Sequence, residues 1–295
     1  MKQATTLDEQ ISLLRSRGIQ IANEEKAKEV LMDIGYYRLG FYLFPFEKSY
    51  PKLRGRNHNY KEGTKLSDAV TLYYYDFDLR NILMRYINRI EVTFRTYLIY
   101  ELSNKYKNEP TWFISPQIVN QKFIQSFDSE IYNDKFRNNP VIQRHHRKYI
   151  NDKYAPAWKT IEFMTLGNVL KLYQNLRDLE DKRIICKQFG INQTVVFENY
   201  METIRVIRNK CAHGSTLFDL SLCQSIKNGP AGKFQIGEAQ RLPAAIDVIL
   251  YMIGTISQNR KNDLLASLDK IHELAIEKSS DIKWIIKNIK KLPLK

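Results

Sequence analysis

The chain has 295 residues, of which 43% are hydrophobic and 12% aromatic, and this apolar content is enough for a core and excludes an intrinsically disordered protein. Lysine and arginine outnumber the acidic residues by 46 to 32, which gives a formal net charge of +14. Such a charge favours a polyanionic partner, above all a nucleic acid, although an acidic protein or an anionic lipid is a second interpretation of charge alone.

Cysteine usage and hydropathy give expectations for the compartment. Cys186, Cys211 and Cys223 include no C-x-x-C pair, so the sequence indicates neither a disulfide framework nor a zinc cluster. The longest apolar stretch, residues 244–256, is interrupted by Asp247 and is too short to span a bilayer. The first ten residues lack the apolar core of a signal peptide. We therefore expect a cytoplasmic protein with no membrane partner, no metal and no cofactor.

The N-terminal region has the pattern of a small helical hairpin followed by a basic loop. Apolar residues recur at helical spacing over 7–16 and 24–34, and Asn23 is placed to cap the second helix. An aromatic-rich helical segment follows over 35–46. The polar stretch 48–64 is typical of an exposed loop that can contact phosphates. Four basic residues of this loop are candidate RNA contacts: Lys52, Arg54, Arg56 and Lys61.

The rest of the chain is also predicted to be helical. One apolar stripe over 66–106 predicts a long helix, or two helices joined end to end. Further helices are predicted at about 117–137, 140–150, 157–176, 180–189, 193–212, 243–258, 262–278 and 281–291. Residues 215–240, rich in Gly, Ser and Asn, are typical of a loop. The sequence thus predicts an all-α protein, with an N-terminal helical subdomain over 1–64 that carries the basic loop and a larger helical domain over 65–295.

The helix predicted over 193–212 leads into the segment whose residue types suit phosphodiester cleavage. A metal-free ribonuclease needs an imidazole that exchanges protons near neutral pH and a permanent cation for the charge that builds on phosphorus. His213 and Arg208 supply these two groups, and Asn209 can orient either of them. Gly214 follows directly and predicts the end of the helix.

The spacing of the two residues constrains how they could act together. Five residues place Arg208 and His213 about 140° apart around an ideal helix. They converge on one phosphate only if the helix ends near His213, or if a second copy of the motif supplies part of the site. Two histidines in a symmetric dimer would also provide both a base and an acid. By itself the spacing is not diagnostic, because a surface ion pair of Arg208 and a helix cap by His213 also explain it.

Five segments of the chain, taken in order, are distinctive. They are IGYYRLGFYLFPF (34–46), LYYYDFDLR (72–80), IEVTFRT (90–96), PAWKTIEFMTLG (156–167) and RNKCAH (208–213). Together they resemble the Abi family of abortive-infection proteins, the AbiD/AbiF-like group. That family belongs to the HEPN superfamily of helical ribonuclease-like domains. The resemblance therefore implies a HEPN-like helical bundle in which Arg-x4–6-His is the catalytic motif, usually assembled across a homodimer.

Transferred residue by residue, the resemblance implies that Arg208 and His213 belong to the active site, with Asn209 as the motif's polar neighbour. For some members it also implies a small structured non-coding RNA as a neutralising or guiding partner, as in a toxin–antitoxin pair. One departure affects the interpretation. Members commonly follow the histidine with a second polar residue, an Arg and an aromatic residue, whereas this chain continues as GSTLF over 214–218.

Three hypotheses follow. The first is a phage-defence protein that binds RNA and acts as a metal-independent endoribonuclease, and the second is a non-catalytic protein of the same fold that holds a small structured RNA. The third is a helical adaptor for a protein partner. The remaining candidate RNA contacts are basic residues outside the loop: Arg38, Arg144, His145, His146, Arg147 and Lys210.

Three further groups of residues have more ordinary interpretations. Glu91 and Arg95, one helical turn apart, could line the same cleft as the motif, but their spacing favours an intrahelical salt bridge. Tyr36, Tyr37 and Arg38 could stack a base, but a buried aromatic cluster is the preferred interpretation. The carboxylates of residues 76 and 78 lack nearby His or Cys ligands and do not indicate a metal site.

Overall fold

A computed structural model describes residues 3–52 and 56–289. Over these residues the chain forms fourteen α-helices, and its β pairing is limited to isolated bridges. In chain order the helices are α1 (Leu7–Ser16), α2 (Glu24–Ile34), α3 (Tyr36–Leu43), α4 (Leu66–Lys105), α5 (Gln121–Glu130), α6 (Asp134–Arg137), α7 (Pro140–Lys148), α8 (Ala157–Phe163), α9 (Leu166–Gln174), α10 (Leu179–Gln188), α11 (Thr194–Ala212), α12 (Leu242–Ile256), α13 (Gln258–Lys278) and α14 (Lys283–Ile289). The all-α prediction is confirmed. The HEPN-like assignment stays a prediction.

The chain divides into two compact units, each built from separated stretches. The first comprises Met1–Ile82, Lys210–Leu220 and Leu265–Lys295, and the second comprises Leu83–Asn209 and Ser221–Leu264. Compactness alone does not test the domain boundary predicted after residue 64, which stays a prediction. The units divide within α4 and near the end of α11.

The N-terminal hairpin forms as predicted, with the predicted cap at Asn23 and a further cap at Thr6. Thr6 Oγ1 accepts a hydrogen bond from the Glu9 amide at 3.3 Å, and the Glu9 carboxylate accepts one in return from the Thr6 amide at 2.7 Å. Asn23 Oδ1 accepts from the Lys26 amide at 2.9 Å. Both caps satisfy amides that have no partner inside the helix, which fixes where each helix begins. The predicted bounds 7–16 and 24–34 are confirmed.

Helix α4 is a single helix of 40 residues. Its apolar stripe is buried along its whole length, at Leu72, Leu79, Leu83, Ile87, Ile90, Phe94, Leu98 and Leu102. Burial on one continuous stripe stabilises a helix far more than intrinsic propensity does. The long helix predicted over 66–106 is therefore confirmed as one element.

Two predicted helices are interrupted. The segment 117–137 forms α5 and α6, and the segment 157–176 forms α8 and α9. At the second break, Met164 is extended (φ −70°, ψ 149°), and Thr165 Oγ1 accepts from the Asn168 amide at 3.2 Å to start a new helix. Apolar spacing continued through this point and predicted one helix, but the threonine cap favours a fresh start. The break also leaves the Met164 carbonyl free to accept a side-chain donor.

The loop predicted over 215–240 is confirmed, and its second part is held in place by hydrogen bonds within the second unit. The Leu222 amide donates to the Gln240 carbonyl at 2.9 Å, and the Ile226 amide donates to the Ala239 carbonyl at 2.8 Å.

Among the helices of the described residues, none combines the length and the apolar character needed to cross a membrane.

Candidate active site

In the second unit, Arg208 lies near the C-terminal end of α11, next to the buried face of that helix. Its neighbour Ile207 is fully buried, whereas the side chain of Arg208 is 35% exposed. Nε of Arg208 lies 3.7 Å from Oε2 of Glu91 on α4. This distance is beyond hydrogen-bond range, so the contact is an ion pair. Arg208 is therefore held near a carboxylate with its Nε buried, while its side chain as a whole stays partly exposed.

Glu91 is itself held by a second arginine. Arg95 Nη2 donates to Glu91 Oε1 at 3.1 Å and to the Met164 carbonyl at 2.9 Å, and only 9% of either charged residue is exposed. The predicted Glu91–Arg95 salt bridge is thus confirmed. Because the two carboxylate oxygens face different arginines, Arg95 orients the carboxylate that contacts Arg208. The sequence indicated that Glu91 could line the same cleft as the motif, but not that it pairs with Arg208, because this contact joins residues on two different helices.

In the first unit, His213 is the first residue after α11, which ends at Ala212. The helix end predicted near Gly214 is confirmed. Gly214 has φ +64°, in the left-handed region, and the Ser215 amide closes the turn by donating to the Lys210 carbonyl at 2.9 Å. This turn leaves the imidazole of His213 exposed to solvent.

Arg38 on α3 lies against this turn. Its Nη1 donates to the Gly214 carbonyl at 2.9 Å, and a Cβ on Gly214 would lie only 3.3 Å from the same nitrogen. The backbone angle therefore favours glycine at this position, and an added Cβ would also require the Arg38 guanidinium to shift slightly. Arg38, His213 and the aromatic residues Tyr37 and Phe41 line an open cavity of about 370 Å³. An arginine predicted as an RNA contact thus lies at the same cavity as the candidate catalytic imidazole.

The prediction that Tyr37 is buried is wrong. Its side chain is 82% exposed, because Leu39, Tyr42 and Leu43 form the buried face of α3 and Tyr37 lies outside that face. Tyr36 is half-buried, and its hydroxyl accepts a hydrogen bond from Arg17 Nη1 at 3.0 Å. The aromatic segment is therefore divided between the core and the surface.

Asp76 on α4 anchors the chain that follows His213. It is fully buried and accepts hydrogen bonds from the Leu217 amide at 3.0 Å, the Phe218 amide at 2.9 Å and the Tyr42 hydroxyl at 2.9 Å. It also forms an ion pair with Arg80, one helical turn along α4. Burial raises the pKa of Asp76 above its ordinary value, although Arg80 and these hydrogen bonds oppose the rise.

Arg80 extends the same network. Its Nη1 also donates to the Tyr42 hydroxyl at 3.1 Å and to the Ser215 carbonyl at 3.3 Å. Two backbone amides and one backbone carbonyl between residues 215 and 218 are thus bound by side chains of α4. The sequence contained an indication of this network, because Asp76 and Arg80 interrupt the buried apolar stripe of α4 at helical spacing, and buried charges at such positions need partners.

The basic loop contributes several of the predicted RNA contacts, and two of these side chains have structural partners. Arg56 Nε donates to the buried carboxylate of Glu47 at 3.0 Å, and its guanidinium lies 4.6 Å from the centre of the Phe44 ring. Lys61 Nζ donates to the Pro45 carbonyl at 3.3 Å. Lys52 is exposed, and Arg54 lies outside the described residues. A role of these residues in RNA binding stays a prediction.

The basic helix α7 presents only part of its predicted contacts to solvent. Arg144 and Arg147 are exposed, whereas His145 is buried with Nε2 3.1 Å from the Asp152 carboxylate. His146 Nε2 lies 2.9 Å from the Tyr132 hydroxyl oxygen. On α11, the side chains of residues 209 and 210 are half-buried. For these residues too, RNA binding stays a prediction.

The three cysteines are free thiols. Cys211 lies in the last turn of α11, two residues before His213, and burial raises its pKa to about 12. Its thiol is therefore protonated at neutral pH and is a weak nucleophile. Within residues 3–52 and 56–289, no three or more His, Cys, Asp or Glu side chains are grouped so as to hold a metal ion.

Within each unit, the distinctive segments contact that unit's part of the motif or the residues that follow it. In the second unit, segments 90–96 and 156–167 supply the ion pair and the carbonyl beside Arg208. In the first unit, segments 34–46 and 72–80 supply the side chains that bind residues 214–218. Segments that are far apart in the chain therefore contact the motif or the residues just after it.

A protein-family model described as Abi-like protein matches residues 29–219, about two thirds of the chain. The matched span contains all five segments. Neither a curated protein nor a solved structure gives a match.

Proposed function

Because the chain belongs to the Abi-like protein family, which indicates abortive infection and thus phage defence, we propose that it binds RNA and cleaves it as a metal-independent HEPN endoribonuclease. The proposal assigns catalysis to Arg208 and His213, assisted by Asn209, in a homodimer. The observation that carries it is the contrast in burial around the motif. Glu91 and Asp76 are buried and bind fixed partners, whereas the side chain of Arg208 is 35% exposed and His213 is exposed.

This contrast suits catalysis, since groups that act on a substrate work best when their supports are rigid and their reactive atoms are accessible. In the proposed reaction, the guanidinium of Arg208 pairs with the phosphate oxygens on which negative charge develops. His213 removes the proton from a ribose 2′-hydroxyl, whose oxygen attacks phosphorus while the bond to the 5′-oxygen breaks. The partner's His213 gives a proton to that leaving oxygen. The products carry a 2′,3′-cyclic phosphate and a 5′-hydroxyl.

The test compares alanine variants on a labelled RNA. His213→Ala and Arg208→Ala are each expected to lower the cleavage rate by about 100-fold or more, the usual contribution of a general acid–base group or of a charge that stabilises the transition state. The affinity of His213→Ala for RNA is expected to stay within about threefold of the original protein, because one side chain makes a small share of the electrostatic binding energy. In cells, both variants are expected to relieve toxicity.

Arg205 provides a matched control. It lies one turn earlier on α11, its side chain is 33% exposed against 35% for Arg208, and it pairs with Glu202 on the same helix. Arg205→Ala removes the same charge from the same helix and is expected to keep cleavage and toxicity. Equal cleavage by Arg208→Ala and Arg205→Ala would contradict the proposed role of Arg208.

The alternative is a non-catalytic protein that holds a small structured RNA. It is favoured by one feature of the sequence, namely that residues 214–218 read GSTLF and lack the Arg that commonly follows the histidine in the family that the chain resembles. In this case, RNA incubated with the protein stays full length, and affinity falls steeply with salt. Arg208→Ala then weakens binding no more than the loss of any other phosphate contact.

A further inference from the structure

Two aromatic rings beside His213 are exposed to solvent. Tyr37 is 82% and Phe41 is 42% exposed, and their ring centres lie 5.3 Å apart at an interplanar angle of 81°. They are four residues apart on α3, so they occupy one face of that helix. Large aromatic side chains that remain exposed as a pair indicate a binding surface more often than isolated surface residues do.

The charge around these rings indicates which ligand they suit. Arg38 lies between them in sequence, its side chain is exposed, and its Nη1 is bound to the Gly214 carbonyl. Among the described residues that line the cavity with His213, none is acidic. The cavity thus combines a guanidinium, an imidazole and two aromatic rings. A ligand that has both a planar ring and a negative charge matches this combination, and a nucleotide has both.

We propose that Tyr37 and Phe41 stack an unpaired nucleobase of the bound RNA, with Arg38 at an adjacent phosphate, next to the position where His213 acts. The inference rests on the proposed function for its ligand class, RNA, and for the role of His213. The cavity of about 370 Å³ falls within the usual range for small-ligand sites, about 300–1,000 Å³. Bases within an A-form duplex cannot reach such rings, so the site selects single-stranded loops, bulges or ends.

A second copy of this chain is a poorer occupant of the same surface. Packing of one copy directly onto the rings of another would bring two copies of Arg38 close together without an acidic residue among the described lining residues. Like charges at close range oppose such packing, and the formal net charge of +14 adds to this repulsion. The proposed catalytic dimer differs, because its two His213 side chains approach one RNA phosphate, whose negative charge lies between the subunits. An anionic ligand is attracted by the same charges.

The experiment measures binding of single-stranded 2′-fluoro oligonucleotides of about ten nucleotides, a length that a single-strand binding groove accommodates. These oligonucleotides lack the 2′-hydroxyl that the proposed cleavage requires, so they stay intact. An abasic residue is placed at each position in turn. For the original protein, one position is expected at which the missing base weakens binding by about 5- to 100-fold, the contribution of one stacked base. The matching duplex is expected to show no such position.

Tyr37→Ala is expected to weaken binding of the complete oligonucleotide by a similar factor and to cause no further loss with the abasic one. Tyr37→Phe keeps the ring and is expected to keep the affinity. Tyr100→Ala is the matched control, because Tyr100 is 63% exposed on α4 and does not line this cavity. Circular dichroism verifies that each variant is folded.

Two outcomes overturn the inference. The first is that Tyr37→Ala binds the complete oligonucleotide as tightly as the original protein does. The second is that the abasic residue weakens binding to Tyr37→Ala by the same factor as it weakens binding to the original protein, because effects multiply only when they are independent. If Tyr37→Ala instead converts a dimer to a monomer in sedimentation velocity without this coupling, the rings form a protein interface. Cleavage of natural RNA by the His213 variants is measured separately, so the base site and the nuclease proposal can each fail alone.

Discussion

Asp76 offers the most direct test of how the chain after His213 is held. Asp76→Asn keeps the size of the side chain but removes the charge opposite Arg80, whose side chain is only 6% exposed. Removing one partner of a buried ion pair costs about 3–5 kcal/mol, because the other charge is left without compensation. For a protein of this size, 1 kcal/mol corresponds to roughly 2–4 °C in Tm. We therefore expect Tm to fall by roughly 6–20 °C.

The measurement is thermal unfolding followed by far-ultraviolet circular dichroism. Asp78→Asn is the matched control, because Asp78 lies two residues further along α4 and is exposed. A change of this kind at an exposed position is expected to alter stability by less than about 0.5 kcal/mol. The double variant Asp76→Asn with Arg80→Gln removes both charges. Its loss is expected to be smaller than the sum of the two single losses by about 1 kcal/mol or more, because the two residues are coupled.

A Tm for Asp76→Asn that matches that of Asp78→Asn would refute this reasoning. Strictly additive losses in the double variant would also refute it, since they would mean that Asp76 and Arg80 do not stabilise each other. If Asp76→Asn does not accumulate as folded protein while Asp78→Asn does, the predicted direction is still supported, and the double variant then provides the quantitative comparison.

Three further predictions concern single residues. Gly214→Ala places a Cβ on a residue with φ +64° and 3.3 Å from Arg38 Nη1. We expect the free energy of unfolding to fall by about 1–2 kcal/mol and RNA binding to weaken, and an unchanged Tm would contradict this. Iodoacetamide at about pH 8 is expected to modify the exposed Cys223 and to spare Cys211, because burial raises the pKa of Cys211 to about 12. Peptide mass spectrometry measures the labelling, and equal labelling of the two cysteines would contradict this expectation. Burial lowers the pKa of His145, so as the pH falls through about 6.5 the unfolded chain binds a proton before the folded chain does, and the stability of the fold falls. The Tm of His145→Leu is expected to fall less on acidification than the Tm of the original protein, and equal falls would exclude this cause.

The elements that could be predicted from the sequence are those whose bounds are set by neighbouring residues. Helices α1 and α2 begin at the caps of Thr6 and Asn23, and α11 ends two residues before Gly214. Each of these bounds depends on residues within one turn. The break between α8 and α9 is also local, but there two local patterns disagree. The apolar spacing continues through this point and predicts one helix, whereas Thr165 caps a new helix. A prediction from spacing alone therefore missed the break.

The surroundings of the candidate site could not be predicted because they depend on contacts between distant parts of the chain. Asp76 binds amides at residues 217 and 218, on a segment 141 and 142 positions away. Nothing near either segment specifies its partner, although a charged pair on a buried helical stripe indicates that partners exist. Similarly, the sequence identified Tyr37 as aromatic, but its exposure depends on which side of α3 faces the core.

The buried ion pairs around the motif have a role that differs from simple stabilisation. A buried pair often contributes no more to stability than apolar residues of similar volume would, because desolvation offsets the attraction. Glu91 and Asp76, however, each fix atoms that apolar residues cannot hold, namely a guanidinium in one case and backbone amides in the other. Their value therefore lies in orientation. A variant that loosens either carboxylate while the fold persists should lower the cleavage rate although it removes no group that touches RNA.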